Sequence, residues 1–261
     1  MKPDTATIRY YDVSPSVTAF STTRHGGFSR GAHGGFNINH YCGDDEACID
    51  KNLDQLAGEL GVDKANVIMP HQTHGTETRL ISRDFLSLGQ ATQQMILEGV
   101  DALMTDVPGV CIGVSTADCI PIIIYDPEHR ATAAIHAGWR GTVARIAVKA
   151  VTEMRLAYGS RPEALLAVIG PGISLDAFEV GDEVYDEFAS AGFDMAAISR
   201  REAKWHIDLK ECNRLQLVSL GIMPRNIQVS GICTYNNYTD YFSARRLGAQ
   251  SGRIFTGTII K

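Results

Sequence analysis

Residues 101–138 constrain the fold of this chain more than any other stretch. DALMTD, VCIGVSTADC, IPIIIYD and ATAAIHAG follow one another as apolar, β-branched runs. Turn signals such as Asp106-Val107-Pro108-Gly109 and Asp126-Pro127 break them. Such short runs bounded by turns read as consecutive buried strands. SVTAFST (16–22), NVIM (66–69), TETRLI, ALLAVIG (164–170), IQVSGIC and RIFTGTII read as further strands.

Helical spacing appears between them. Ile49, Leu53, Leu56 and Leu60 share a face, with Asp44 or Asp45 as cap and Gly61 as the stop. Thr142–Tyr158 reads as a second helix, ended by Gly159. Others are expected near 178–189, with Val180, Val184 and Phe188 in register, and near 209–220, ended by Gly221. A glycine-rich loop, TTRHGGFSRGAHGGFN, follows the first strand. No repeat, linker or low-complexity tract divides residues 1–261. Strands and helices alternate in part and cluster in part. The expectation is a single α/β (α+β) domain with mixed sheets covered by helices.

Hydrophobic residues make up 44% of the chain and charged residues 21%, an ordinary globular composition. A net charge of −6 without clustered Lys and Arg argues against a nucleic-acid groove. No apolar run approaches the roughly 20 residues of a spanning helix, so no membrane role is expected. MKPDTATIRYY lacks the apolar core of a signal peptide. The six cysteines form no CxxC pair, so reduced thiols in a cytoplasm are expected.

HQTHG (71–75) places two histidines three apart after Pro70. On a helix both would share a face. Pro70 and the flanking strand patterns argue for an extended segment, where they point to opposite faces. At most one of His71 and His74 then serves a common site. Cys119 of STADCIPI and His136 of AAIHAGWRGT are separated by strand, turn and strand. That connection brings them together near one sheet edge. One such histidine, Cys119 and His136 would form a three-ligand N/S set. Zinc favours these donors, and three ligands leave a fourth tetrahedral position open, the layout of a catalytic site.

HAGWRGT runs from a glycine turn into the helix expected from Thr142. The N–H groups of that helix start, with Arg140, offer an anion site. Arg24 and Arg30 in the glycine-rich loop would form a second basic wall. GPGIS (170–174) reads as a structural turn.

STTRHGGFS, QTHG, DALMTD, STADCIPIIIYD, AAIHAGWRGT, GPGIS, FEVGDEV, CTY with YFSARR, and GRI occur together, in this order, over nearly the whole chain. In this the chain resembles the YfiH-like family, which carries the labels laccase-domain protein, polyphenol oxidase and peptidoglycan editing factor. The resemblance implies a single-domain α-β-β-α layered sandwich, similar to the catalytic domain of cytotoxic necrotizing factor. It implies a zinc site with Cu2+ as a possible replacement. The Gln-x-His-Gly motif maps onto Gln72-Thr73-His74-Gly75, so the ligands map to His74, Cys119 and His136, and His71 inherits no role. The stretch between His74 and Asp101 is long for the family, which bears on one pocket wall.

The implied activity is phosphorolysis of inosine, adenosine and methylthioadenosine to the base and a ribose 1-phosphate, accompanied by adenosine deamination. The partners would be purine nucleosides and phosphate, with no protein partner expected. Arg24, Arg140, Phe28, Asn39, Asp118 and Tyr235 are the candidate substrate and phosphate contacts. Three alternatives stand beside this. Cys119 and His136 would serve a Cys–His hydrolase that edits peptidoglycan precursors. A copper polyphenol oxidase needs HxH repeats, and this chain has eight His and no HxH. The convergent His/Cys/His set beside an anion site argues against the third, a non-enzymatic binding or scaffold role.

Overall fold

A computed structural model describes residues 7–261. The expectation drawn from MKPDTATIRYY falls partly on residues 1–6, which lie outside the described residues. In chain order the elements are β1 (Ile8–Ser14), β2 (Val17–Thr22), α1 (Glu46–Leu60), β3 (Val67–Ile68), β4 (Glu77–Leu80), α2 (Arg83–Leu86), α3 (Gln90–Leu97), β5 (Val100–Thr105), β6 (Cys111–Thr116), β7 (Ile120–Asp126), β8 (Ala131–Ala137), α4 (Trp139–Val143) and α5 (Ile146–Tyr158). Then come β9 (Leu166–Ile169), β10 (Glu179–Val180), α6 (Asp182–Ser190), α7 (Met195–Ile198), β11 (Ser199–Arg201), β12 (Trp205–Ile207), α8 (Leu209–Ser219), β13 (Ile227–Val229), α9 (Ala244–Leu247) and β14 (Ile254–Ile260).

The central strands form a six-stranded mixed sheet, β13-β9-β7-β8-β5-β4, whose two outer pairs are parallel. A five-stranded sheet, β1-β2-β14-β6-β3, lies against it. Strand periodicity sorts the side chains. Ile120, Ile122 and Ile124 of β7 and Ala131, Ala133, Ile135 and Ala137 of β8 face one core with α5 and α8. Ile123 and Ala134 face the other way, onto Ala19, Ile112 and Val114 of the second sheet. The outer face of that sheet packs Phe20 and Phe255 on Leu56 of α1. The layers are therefore helix, sheet, sheet, helix. Coverage of both faces is why the strands read as unbroken apolar runs. The small residues of β8 let α5 approach closely through Ala147 and Ala150.

Asp45 caps α1 by accepting the Cys48 N–H, and Gly61 ends it in the left-handed region. Two helix expectations need correction. Residues 142–158 are not one helix: α4 starts at Trp139, and Arg145, at φ 62°, separates it from α5. Side chains of α8 capture Thr142 at this break. Asn213 donates to its hydroxyl, and Gln216 to the carbonyl that would otherwise continue the helix. Val180 is likewise not helical. It pairs with Trp205 in a small antiparallel sheet, β10-β12-β11, and α6 begins only after Gly181. The stretch between His74 and Asp101 holds β4, α2 and α3. Among the described residues, no helix is long and apolar enough to cross a membrane.

Candidate metal centre and cavity

The β7–β8 hairpin sets the site. Its register pairs Ile120 with Ala137 and Pro121 with His136. Cys119, one step before β7, thus lies level with Gly138, one step past β8. Both belong to the end of two central strands of the six-stranded sheet, not to a sheet edge. His136 shares the parity of Ala134 and faces the second sheet.

His74 arrives from the loop between β3 and β4. That loop is not extended at this point, because His74 adopts φ 64°. A non-glycine residue there is uncommon. Here one carboxylate compensates: Asp101 accepts the N–H groups of Thr73, His74 and Gly75 at 3.2, 3.0 and 2.7 Å. Gln72 anchors the same loop to β6. It donates to the Ser115 carbonyl and accepts the Ser115 N–H at 2.8 Å.

Donor atoms of His74, Cys119 and His136 lie within 4.8 Å of one another. The two imidazole rings stand 4.8 Å apart at 74°. His71 points elsewhere. Its ring stacks on Tyr41 at 4.0 Å and bonds Glu98 at 2.8 Å. Asp101 also holds His136, with 2.7 Å between its Oδ1 and Nδ1. Burial raises the Asp101 carboxyl's pKa, but His136 and the loop amides outweigh it and hold the group below the usual range. An ionised carboxylate only accepts, so Nδ1 of His136 donates and Nε2 is left for the centre.

The donor set fits a single zinc ion: two imidazoles and a thiol, one imidazole oriented by a buried carboxylate. Gly138 leaves the necessary room. A Cβ there would lie 3.0 Å from His74 Cδ2 and 3.1 Å from Cys119 Sγ. Its backbone, at φ −67° and ψ 171°, suits any residue. Gly138→Ala is therefore expected to displace the donors without straining the chain. Metal affinity should fall about 10-fold or more, on the scale of outer-shell changes, while the melting temperature of metal-free protein stays within a few degrees. Metal titration and thermal melts check both halves.

Without metal, burial raises the Cys119 thiol, but His136 and His74 outweigh it and bring it down to about 6. Burial lowers His136, but the Cys119 thiolate and Asp101 outweigh it and raise it to about 9. Between these values the pair is thiolate and imidazolium. In metal-free protein, alkylation of Cys119 by iodoacetamide should stay fast as pH falls from 8 and decline only near pH 6. Cys111 and Cys212 are buried and shifted upward, so peptide mapping should find them unlabelled. A Cys119 profile centred near 9 would contradict the assignment.

A cavity of about 450 Å³ opens over the three donors. Of the candidate substrate contacts, Asn39 and Asp118 line it. The Asp118 carboxylate accepts the Thr234 hydroxyl and the Arg245 N–H, and supports φ 87° just before Cys119. Arg24 donates to the carbonyls of Tyr238 and Gly34, over the Phe242 ring. Arg140 is exposed and stacks on Trp139 at 4.2 Å. Phe28 lies under Lys51, and Tyr235 accepts a bond from Arg246. None of these four lines the cavity. Asp101, Gln72, Arg245 and Arg253 were not selected from the sequence. A carboxylate inside an otherwise largely apolar strand was the available signal for Asp101.

Comparison with known proteins agrees with this architecture. Residues 18–261 match the family model described as multi-copper polyphenol oxidoreductase laccase. A protein named purine nucleoside phosphorylase from Bacteroides thetaiotaomicron is 44% identical over 248 residues, covering 94% of this chain and 92% of that protein. Adenosine deaminase RL5, from an unknown prokaryotic organism, is 46% identical over 245 residues, covering 92% and 93%. The crystal structure of Bacillus licheniformis hypothetical protein YfiH aligns with a TM-score of 0.87 at 29% identity, covering 97% of this chain and 99% of that one. Among the described residues, one other group of three candidate donors occurs, Asp126, Glu128 and His129. It is a hairpin turn whose atoms are engaged: Asp126 accepts two turn amides and bonds His129, and Glu128 pairs with Arg161. With the match spanning almost the whole chain and the fold shared, this protein belongs to the enzyme family described as multi-copper polyphenol oxidoreductase laccase.

Proposed function

We propose that this chain is a zinc-dependent purine nucleoside phosphorylase that also deaminates adenosine. The observation that carries the reading is the His74–Cys119–His136 cluster at a cavity of about 450 Å³. That volume lies within the roughly 300–1,000 Å³ of small-molecule sites. Relatives at 44% and 46% identity bear the names of the two activities.

In phosphorolysis a phosphate oxygen bonds to C1′ of the ribose as the C1′–N9 bond breaks. The bond pair leaves with the purine, and the proton of hydrogen phosphate ends on the base. Ribose 1-phosphate is the other product. A bound zinc would supply a Lewis acid and lower the pKa of water, which suits deamination. His74, Cys119 and His136 would hold the metal, Asp101 fixes the His136 tautomer, and Gln72 and Asp101 together shape the loop that presents His74.

Purified zinc-loaded protein is expected to release hypoxanthine from inosine with saturable dependence on phosphate, read by chromatography. Failure to release base at any phosphate concentration overturns the reading.

One observation favours a second reading. Cys119, His136 and Asp101 are also ordered as nucleophile, base and orienting acid. Hydrolysis of an amide that survives complete chelation, and is lost in Cys119→Ser, would support a metal-independent Cys–His hydrolase.

A further inference from the structure

We propose that Arg245 and Arg253 form the phosphate-binding wall of the cavity; the proposal rests on the phosphorylase reading above. They are the two Lys or Arg side chains that line it. Among the described residues neither guanidinium is ion-paired with a carboxylate. Arg245 spends one donor on the Glu179 carbonyl and lies over the Phe178 ring at 5.5 Å. Arg253 is held by carbonyls of its own loop, at Ala249, Ser251 and Gly252. Each guanidinium thus lacks a carboxylate partner, and its fork geometry suits an oxyanion.

The carboxylate that shares the cavity with them is not paired with either guanidinium. Asp118 also lines the cavity, but its two oxygens are committed to the Thr234 hydroxyl and to the backbone N–H of Arg245. A second, independent feature lies beside Arg253. Thr116 pairs across the sheet with Ile254, the next residue along. It lines the cavity at 1% exposure, and its buried hydroxyl has no hydrogen-bond partner. A buried hydroxyl is rarely left without a partner, and a phosphate oxygen would supply one.

The anion site expected at HAGWRGT lacks these features. Its helix has five residues, and Arg140 lies outside the cavity. The phosphate wall therefore comes from α9 and the segment after it, about 100 residues beyond the ligand hairpin.

The test uses zinc-loaded full-length protein and two readouts. Isothermal titration measures binding of inorganic phosphate directly, and initial rates give separate KM values for phosphate and inosine. Arg245→Gln is expected to raise the phosphate KM and weaken phosphate binding roughly 10- to 100-fold, the range for bonds to a charged group. The inosine KM should move far less. Arg253→Lys, which keeps a cation while losing the fork, should give a smaller rise in the same constant. Thermal melts confirm that each variant is folded.

Phosphate KM and binding unchanged in both variants overturns the proposal, as does a selective rise in Arg140→Gln. Arg245-dependent binding of inosine 5′-monophosphate but not of inorganic phosphate also overturns it, because the wall would then read a nucleotide. Wild-type binding of phosphate that Arg245→Gln loses, without phosphorolysis, upholds the wall and sinks the phosphorylase reading alone.

Discussion

Asp101→Asn should lower zinc affinity by about 10- to 100-fold, the usual range for a residue that orients a metal-bound histidine. The substitution keeps shape and removes the charge. Asp101 accepts the Nδ1 proton of His136 and three N–H groups of the loop that carries His74. Asparagine offers one oxygen and an NH2, so at least one loop N–H would face another donor. Each buried donor left unpaired costs about 1–3 kcal/mol. The loop should loosen and His136 should lose its fixed tautomer, so two of the three donors are affected by one change. Metal titration and the melting temperature of metal-free protein should both fall. Retention of wild-type affinity would mean that Asp101 does not govern the centre.

His74→Ala and His71→Ala form the second large contrast. His74→Ala removes one of three donors and should cost more affinity than the roughly 100-fold upper end for outer-shell changes. Metal content after dialysis against a weak chelator should drop from one equivalent to background. His71→Ala should keep its metal, because His71 is stacked on Tyr41 and bonded to Glu98. His71 still lines the cavity, so a change in substrate KM is compatible with this result. Metal lost from His71→Ala and kept by His74→Ala would reverse the ligand assignment.

The pairing of Cys119 with His136 was legible because it is local. Seventeen residues of strand, turn and strand can close only as a hairpin, and the register follows from two apolar runs of matching length. The exclusion of one HQTHG histidine was legible too, although the reasoning from an extended backbone does not describe the loop. His74 turns through the left-handed region, and its partner there is a carboxylate 27 residues away. No periodicity announces a conformation stabilised by so distant a residue. The missed break between α4 and α5 had a similar origin. Thr142 fits the apolar spacing of α5, but Asn213 and Gln216 of α8 capture it and break the helix.

By itself the sequence determined the buried strands, the mixed α/β class and the chemical type of the candidate donors, because hydrophobic periodicity and residue chemistry are local properties. Only the tertiary structure decided that Asp101 ties His74 to His136, and that Arg245 and Arg253, not Arg140 or Arg24, line the cavity. Those choices depend on which loops meet at the end of a sheet. Contacts between residues 27 to more than 100 positions apart set that meeting, and no short window of sequence carries it.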